Sequence, residues 1–322
     1  MQVHILDDWF DTLRQLPSFK MLDGHEVTVW TDHSEDLDTL AERLRDAEAL
    51  VLFRERTHIT APLLQRLPHL KLISQRGVYP HVDVDACSAN GVMLCSRTSG
   101  DTPPNAAAEL TFALLLAAAR QLPQQMQSLR AGHWQMGVGQ TLSGRRLGLY
   151  GYGRIGRQVA QYASAFGMKV WWWASDAGRD RALADGAEVA PSRAAFFAES
   201  DFVSLHVRLT ASTRGSVSAT DLMRMKASAG FINTSRAGLV EEGALEQALA
   251  AGRPGTLALD VFDREPLTDT RDPVINHPNV ICTPHIGYVT EDELDLQFTD
   301  IYDQIRAFAA GEPIHVINPN RE

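Results

Sequence analysis

Short apolar runs alternate with stretches of helical spacing along most of the chain. In the first hundred residues, turn-forming residues bound the apolar runs, which predicts buried strands at residues 3–6, 26–30, 49–53 and 71–74. A helix is predicted over residues 36–47, with Ser34 as its cap. Strands that alternate with helices favour a parallel sheet with helices on both faces.

The pattern changes at Thr102-Pro103-Pro104, where two prolines can open a helix but cannot lie inside one. A domain boundary is predicted here. The next segment, AAAELTFALLLAAA at residues 106–119, predicts a buried helix that runs to about Leu122. It is too short to span a bilayer and carries Glu109, so no membrane segment is predicted.

A second series of apolar runs follows this helix. It predicts strands at residues 146–150, 169–174, 202–207, 230–233, 256–261 and 279–283. Helices are expected over residues 154–166 and 291–310, the latter with a capping box of Thr290 and Glu293, while residues 311–322 show no pattern of regular structure. The predicted fold class is therefore α/β, with two doubly wound parallel-sheet domains, Rossmann or flavodoxin-like, and a cleft between them.

Size and charge narrow the class of protein. A chain of 322 residues is long enough for two domains. Its formal net charge of −10 argues against a nucleic-acid partner, although a local arginine can still bind an anionic substrate. The scattered Cys87, Cys95 and Cys282 indicate neither a disulfide framework nor a metal site. The N-terminus has no signal-peptide pattern, and we expect a cytoplasmic protein.

A glycine-rich loop joins the first strand of the second series to its helix. The segment GLYGYGRIG carries Gly151, Gly153 and Gly156 in the spacing GxGxxG. Between a strand and a helix, the first glycine permits a tight turn, the second lets the backbone approach a pyrophosphate, and the third lets the helix pack closely on the sheet. The loop predicts a dinucleotide site, with Arg154 and Ile155 beside it at the helix N-terminus.

The choice between NAD and NADP depends on the end of the next strand. An acidic residue about 20 residues after the loop would hold the ribose hydroxyls of NAD. That position falls at Ala174 or Ser175, and Asp176 comes slightly later. Asp176 would repel a 2′-phosphate, whereas Arg179 or Arg181 could bind one. These residues leave both cofactors open, with a slight preference for NAD.

Three later strands of the second series are each followed by a polar residue that can take part in catalysis: Arg236, Glu265 and His285. In a doubly wound sheet, such strand ends line the ligand crevice. Arginine can bind a carboxylate and polarise a carbonyl, histidine can donate or remove a proton, and a carboxylate favours the protonated histidine. The trio predicts hydride transfer between a nicotinamide cofactor and a small anionic 2-hydroxy or 2-keto acid.

With these residues in view, the sequence resembles the D-isomer-specific 2-hydroxyacid dehydrogenases over nearly its whole length. NTSRAGLV, ALDVFDREPL and TPHIGYVT are similar to the three signature segments of that family, and TLSGRRLGLYGYGRIGRQVA is similar to its cofactor loop. LPHLKLISQRGVYPHVDVDAC resembles its substrate loop, and AAELTFALLLAAARQLP resembles its dimer and hinge helix. The sequence also resembles a subgroup described as phosphoglycerate dehydrogenase-like, a description that says little about the substrate.

The resemblance implies a role for each member of the trio. Arg236 would bind the substrate carboxylate and carbonyl, His285 would be the general acid and base, and Glu265 would pair with the histidine. The resemblance also implies a homodimer whose subunits close about a hinge. No metal site is expected. The implied domains are a substrate-binding domain and a dinucleotide-binding domain, at residues 1–101 with 290–322 and at residues 102–289.

Further contacts follow from the same resemblance. Asp260 would hold the nicotinamide carboxamide. The substrate would meet Arg54 and backbone N–H groups near Gly77 and Val78. The other positions expected to line the cofactor are Ser175, Asp176, His206, Val207, Thr213, Thr234 and Gly287.

The chain departs from the family pattern at three places. Ala237 stands where glycine usually follows the catalytic arginine. Arg208 stands where proline is usual, so it could reach an anionic group on the cofactor or substrate. Tyr79 and Pro80 stand where a second glycine is often found, which would narrow the substrate pocket.

Two other functions are open on this fold. An NAD(H)-sensing, corepressor-like binding protein would need a peptide-binding surface, which the sequence does not reveal. A formate or phosphite oxidiser is disfavoured, because formate enzymes of this type carry glutamine where Glu265 stands.

Overall fold

The computed structural model describes residues 1–98 and 105–319. The chain divides into two compact units, Met1–Thr102 with Val289–Glu322 and Pro103–Tyr288. Each unit is an α/β fold built on a parallel sheet, which confirms the predicted fold class.

The described residues form the following elements. The strands are β1 Gln2–Ile5, β2 Glu26–Val29, β3 Ala49–Val51, β4 Leu72–Arg76, β5 Met93–Arg97, β6 Arg146–Tyr150, β7 Lys169–Trp173, β8 Phe202–Leu205, β9 Gly230–Asn233, β10 Thr256–Leu259 and β11 Val280–Cys282. The α-helices are α1 Leu37–Arg43, α2 Ala61–Leu64, α3 Val84–Ala89, α4 Asn105–Arg120, α5 Leu122–Arg130, α6 Arg154–Ala165, α7 Asp176–Ala184, α8 Arg193–Glu199, α9 Ala219–Arg224, α10 Ala244–Ala251 and α11 Glu291–Ala309. Short 3₁₀ helices span Leu13–Gln15, Pro17–Leu22 and Ala237–Leu239.

The first unit has a five-stranded parallel sheet in the order β2-β1-β3-β4-β5. Its first four strands are predicted by the sequence, with ends shifted by two residues or fewer. Strand β5, MLCSR, is not predicted, because its apolar run ends after three residues. The tail after α11 returns to this edge strand, where Val316 forms an antiparallel bridge with Cys95. The pairing provides partners for backbone N–H and C=O groups on the outer edge of β5. The sequence predicts no regular structure for residues 311–322, so it does not predict this pairing.

The second unit has a six-stranded parallel sheet in the order β11-β10-β9-β8-β6-β7. All six strands are predicted by the sequence. Its strand order reverses between β6 and β8, the place where open α/β sheets bind ligands. Successive side chains of β7 point to opposite faces, so Trp171 packs in the core on one face of the sheet and Trp172 in the core on the other.

The long apolar helix ends earlier than predicted. Helix α4 stops at Arg120 because Gln121 adopts a left-handed backbone with φ 52°, and a separate helix α5 begins at Leu122. The apolar face of α4 is buried, as predicted.

The predicted boundary at residues 102–104 lies outside the described residues. No helix in the described part of the chain has the length and hydropathy needed to cross a membrane.

Two predicted helix caps differ in detail. The N-cap of α1 is Asp36, whose carboxylate accepts the N–H of Thr39 at 2.8 Å, whereas Ser34 accepts the N–H of Asp36. At α11, Thr290 accepts the N–H of Glu293 as predicted. The carboxylate of Glu293 instead accepts the side-chain amide of Gln297, so only half of the capping box forms.

A buried histidine in the first unit makes its stability depend on pH. His81 is 4% exposed, and neither ring nitrogen has a hydrogen-bond partner among the described residues. Burial lowers the pKa of His81 to about 4, which the nearby Glu55 only partly opposes. The unfolded chain therefore takes up this proton near pH 6.5, and the folded unit only near pH 4.

We expect the first unit to lose about 3 kcal/mol of unfolding free energy through His81 as the pH falls from about 6.5 to 4. A His81→Leu variant removes this group and should unfold in urea with a flatter dependence on pH. The exposed His69 offers a control, because His69→Leu should keep the wild-type slope. Equal slopes for His81→Leu and wild type would contradict the assignment.

Candidate active site

Glu265 and His285 lie in contact after β10 and β11. Nδ1 of His285 is 2.5 Å from Oε2 of Glu265, and the other carboxylate oxygen accepts the N–H of Phe262 at 2.9 Å. Burial acts to raise the pKa of Glu265, but the hydrogen bond and charge of His285, together with the Phe262 N–H, hold this pKa below its ordinary value. Because an ionised carboxylate only accepts, Nδ1 carries a proton and Nε2 is left for proton exchange.

The backbone of His285 is held in an unusual conformation by Asp260. His285 has φ 54°, a left-handed value that non-glycine residues rarely adopt. The fully buried carboxylate of Asp260 accepts the hydroxyl of Thr283 at 2.6 Å and the N–H groups of Ile286 and Gly287, each at 2.9 Å. Burial raises the pKa of Asp260, against the effect of these hydrogen bonds. One carboxylate thus fixes the residues on both sides of His285.

Arg236 follows β9 on a turn held by an asparagine. The buried Asn233 donates its amide to the carbonyl of Arg236 at 3.0 Å and accepts the N–H of Ser235 at 3.0 Å. The guanidinium of Arg236 is exposed and donates to the carbonyl of Ser235 at 2.7 Å. Its charge also helps to lower the pKa of Glu265, which places it within electrostatic range of that carboxylate. The structure therefore brings the predicted trio together in the second unit.

Two glycines of the predicted cofactor loop are required by close packing. Gly151 has φ 109°, and a Cβ there would lie 2.4 Å from the carbonyl oxygen of His206. A Cβ on Gly156 would lie 3.0 Å from the ring of Trp172 on the adjacent strand. The first glycine lets β6 and the end of β8 approach each other, and the second lets α6 lie close to the sheet.

Gly153 is different, because no packing among the described residues requires it. Of the heavy atoms in that part of the chain, a Cβ there would have one within 4 Å, the carbonyl oxygen of His206 at 3.9 Å. Gly153 is the N-cap of α6, which begins with Arg154 and Ile155. Because glycine has no side chain, it does not cap the first N–H groups of this helix. Open space above a glycine at a helix N-terminus fits the pyrophosphate of a dinucleotide.

The segment after β8 carries the next predicted cofactor residues. Burial lowers the pKa of His206 to about 4, so its ring is neutral near pH 7, and its Nε2 lies 3.0 Å from the hydroxyl of Ser204. A side chain atom of Val207 lies beside Gly151. Thr213 donates its hydroxyl to the carbonyl of Arg208 at 2.7 Å, which joins the two ends of the loop over residues 208–213. The side chain of Arg208 is exposed.

The end of β7 carries the groups that bear on cofactor choice. Ser175 uses its hydroxyl as the N-cap of α7, and Asp176 is the first residue of that helix. Arg179 donates to the carboxylate of Asp176 at 2.6 Å and to the carbonyl of Ala174 at 2.7 Å, and its guanidinium lies 4.5 Å from the centre of the Trp173 ring. The carboxylate of Asp176 remains almost fully exposed.

The remaining predicted cofactor positions join α4 to the sheet. The hydroxyl of Thr234 lies 2.6 Å from that of Thr111 on α4, and Gly287 is bound to Asp260 as described above. Thr111, Asn233 and Thr283 are absent from the sequence-predicted site. Each is a polar residue inside or at the end of an apolar run, and that is the signal that could have found them.

The other unit carries the residues predicted to meet the substrate. Arg54, just after β3, has a left-handed backbone with φ 64°. Gly77 follows β4 with φ 97° and donates its N–H to the carbonyl of Arg97 at 3.1 Å, while Val78 is 53% exposed. Over residues 1–98 and 105–319, no group of three or more potential metal ligands is found.

The chain is similar in sequence to known dehydrogenases and reductases. Residues 112–287 match the family model described as D-isomer specific 2-hydroxyacid dehydrogenase, NAD binding domain. The chain is 33% identical to a glyoxylate reductase of Thermococcus litoralis over 95% of each protein. It is 36% identical to D-3-phosphoglycerate dehydrogenase of Methanocaldococcus jannaschii over 89% of this chain, but it spans only 54% of that relative's length.

A solved structure shows the same likeness in three dimensions. The phosphoglycerate oxidoreductase of Vibrio cholerae superimposes with a TM-score of 0.91 at 45% identity. The match covers 97% of this chain and 99% of the other.

Proposed function

The chain belongs to the D-isomer-specific 2-hydroxyacid dehydrogenase family, and on that premise we propose that it interconverts a D-2-hydroxy acid and its 2-keto acid with NAD(H) or NADP(H). The contact between His285 and Glu265, with Arg236 in electrostatic range, is the observation that carries the proposal. The relatives named above are dehydrogenases or reductases, which favours an enzyme over a corepressor-like binding protein.

The catalytic trio supplies the groups that the reaction needs. A bound nicotinamide would deliver or accept the hydride at the carbon that bears the oxygen. In the reducing direction, His285 would donate a proton from Nε2 to the ketone oxygen, and in the oxidising direction it would remove the hydroxyl proton. Glu265 holds the ring by Nδ1 and stabilises the positive imidazolium. Arg236 would bind the carboxylate and polarise the carbonyl.

Other residues would orient the two ligands. Asp260, which already fixes the turn of His285, would also receive the nicotinamide carboxamide. The pyrophosphate would lie over Gly153. Towards the substrate, Arg54 and the N–H group of Val78 would bind a small anionic 2-keto acid, whereas the N–H of Gly77 is already bound to the carbonyl of Arg97.

We favour NAD over NADP as the cofactor. Arg179, one of two arginines that could bind a 2′-phosphate, is already bound to Asp176 and to the carbonyl of Ala174. The exposed carboxylate of Asp176 would repel a phosphate placed beside it. Both features favour a ribose with free hydroxyls.

We also propose that the protein is a homodimer through α5. None of the residues of α5 is buried, and Leu122, Met126 and Leu129 form an apolar stripe at helical spacing, 45–57% exposed. The following segment carries Trp134, which is 79% exposed, and Val138, which is 92% exposed. Side chains of this kind on one surface favour association with a second apolar surface.

The first test is turnover of 2-keto acids by the purified chain. Glyoxylate, hydroxypyruvate, pyruvate, phenylpyruvate and phosphohydroxypyruvate are each mixed with NADH or NADPH, and cofactor absorbance is followed. His285→Ala should lower kcat by about 10²- to 10⁴-fold, because the proton donor is lost, while the Kd of NADH stays unchanged. His69→Ala serves as an exposed control. The proposal fails if wild type oxidises neither cofactor with any of these acids.

The cofactor loop gives a matched pair of glycine variants. Gly153→Ala adds a methyl group in open space and should fold with an unchanged Tm, but should weaken NADH binding by about tenfold or more, because the pyrophosphate needs that space. Gly151→Ala collides with the His206 carbonyl and should lower the Tm as well. NADH fluorescence titration and thermal unfolding separate the two effects. Tight NADH binding by Gly153→Ala would argue against the proposed site.

The dimer proposal is tested by light scattering. Wild type should have twice the chain mass of 35.5 kDa, and Leu129→Glu should have the mass of one chain, because a charge is placed in the proposed interface. Leu183 on α7 is 59% exposed and lies outside the stripe, so Leu183→Glu should remain a dimer. A monomeric wild type contradicts the proposal.

A further inference from the structure

A chain of buried polar side chains lies beneath the loop at Gly77 and Val78 in the first unit. Its members come from β4, β5 and α11 and are all 3% exposed or less: Ser74, Gln75, Ser96 and Gln304. Ser74 donates its hydroxyl to Oε1 of Gln304 at 2.9 Å, and Nε2 of Gln304 donates to the backbone carbonyl of Gln75 at 3.2 Å. The strand that carries Gln75 is thus fixed to α11.

The side chain of Gln75 turns towards the loop that follows it. Its Nε2 lies 3.2 Å from the carbonyl oxygen of Val78, 3.5 Å from that of Gly77, and 3.1 Å from the hydroxyl of Ser96. The hydroxyl of Ser96 donates to the carbonyl of Gly77 at 2.8 Å. Two successive carbonyls of an exposed loop are therefore held against buried donors.

This arrangement decides which way the intervening N–H groups point. In a trans peptide the carbonyl and the next residue's N–H point in opposite directions. The inward carbonyls of Gly77 and Val78 therefore direct the N–H groups of Val78 and Tyr79 away from Gln75. Neither N–H has an acceptor among the residues that the structure describes. Successive N–H groups that face the same way can bind an anion.

We propose that Gln75, supported by Ser96, is a positioning residue for substrate recognition, because it fixes the N–H groups of Val78 and Tyr79 as the paired donors for the 2-keto acid carboxylate. This inference rests on the proposed function. It also explains why a primary amide is kept in the core at 1% exposure, since an apolar residue there would leave the carbonyl of Val78 without its buried donor. Gly77 permits the turn with its φ of 97°.

The test compares steady-state kinetics of Gln75→Met with those of wild type. Methionine has a similar length and volume but cannot donate to the carbonyl of Val78, so the peptide that carries the Tyr79 N–H loses its fixed orientation. We expect the KM for glyoxylate and hydroxypyruvate, and the Ki of oxalate, to rise about tenfold. We expect kcat to change less than threefold and the Kd of NADH to stay unchanged, because Gln75 belongs to the other unit from the cofactor loop.

A matched control separates positioning from stability. Asn318 is a second buried amide in the same unit, which donates to Ser88 and to the carbonyl of Val92 and accepts the N–H of Leu94. Its hydrogen bonds within the described residues go to Ser88, Val92 and Leu94 and not to the loop at Gly77. Asn318→Leu should therefore lower the Tm as Gln75→Met does, but leave the KM and the oxalate Ki at wild-type values.

Each outcome decides one question. A raised KM and oxalate Ki in Gln75→Met, with both values unchanged in Asn318→Leu, support the inference. Wild-type values in a folded Gln75→Met overturn it while leaving the proposed function intact. If Gln75→Met does not fold, Ser96→Ala must raise the KM about threefold, and an unchanged KM overturns the inference. If wild type turns over no 2-keto acid, the proposed function fails and the inference fails with it.

Discussion

The carboxylate of Asp260 is the group on which the geometry of the second unit's strand ends depends. A buried charge without partners is costly, and a non-glycine residue with a left-handed backbone is strained by about 1–3 kcal/mol. The two features stabilise each other, because the N–H groups of the two residues after His285 become the partners of the carboxylate. Thr283, the residue that follows β11, supplies the third hydrogen bond. The ring of His285 is thereby directed to Glu265 by the backbone and not by packing alone.

A second constraint comes from the distance between β6 and the segment after β8. The carbonyl of His206 occupies the space that a side chain at position 151 would need. At Gly153, in contrast, a Cβ would come no closer than 3.9 Å to the same carbonyl oxygen. Within one sequence motif, Gly151 therefore serves the fold, and Gly153 serves the proposed ligand.

The sequence predicts most of the fold because buried parallel strands are continuous apolar runs, as KVWWW at β7 shows. It indicates Arg236, Glu265 and His285 as candidate site residues because each of them follows such a run. The errors have equally local causes. Helix α4 ends before the predicted Leu122 because Gln121 takes a left-handed backbone, and the break lies just ahead of Pro123 in the first turn of α5. Asn233 and Gln75 act through hydrogen bonds to backbone carbonyls, and Thr283 through a hydrogen bond to the carboxylate of Asp260. No periodicity in the sequence reports which partner such a side chain will have.

The return of the chain to the first unit after residue 288 has a consequence for the order of folding. The hydroxyl of Ser74 is bound to the carbonyl of Ile301, a contact that spans 227 residues, and the tail pairs with β5 only after α11 has been made. The second unit, in contrast, is one continuous segment. During synthesis the second unit can therefore complete its sheet first. Strands β4 and β5 are covered only later, when α11 has been synthesised. The first unit to be translated is the last to be finished.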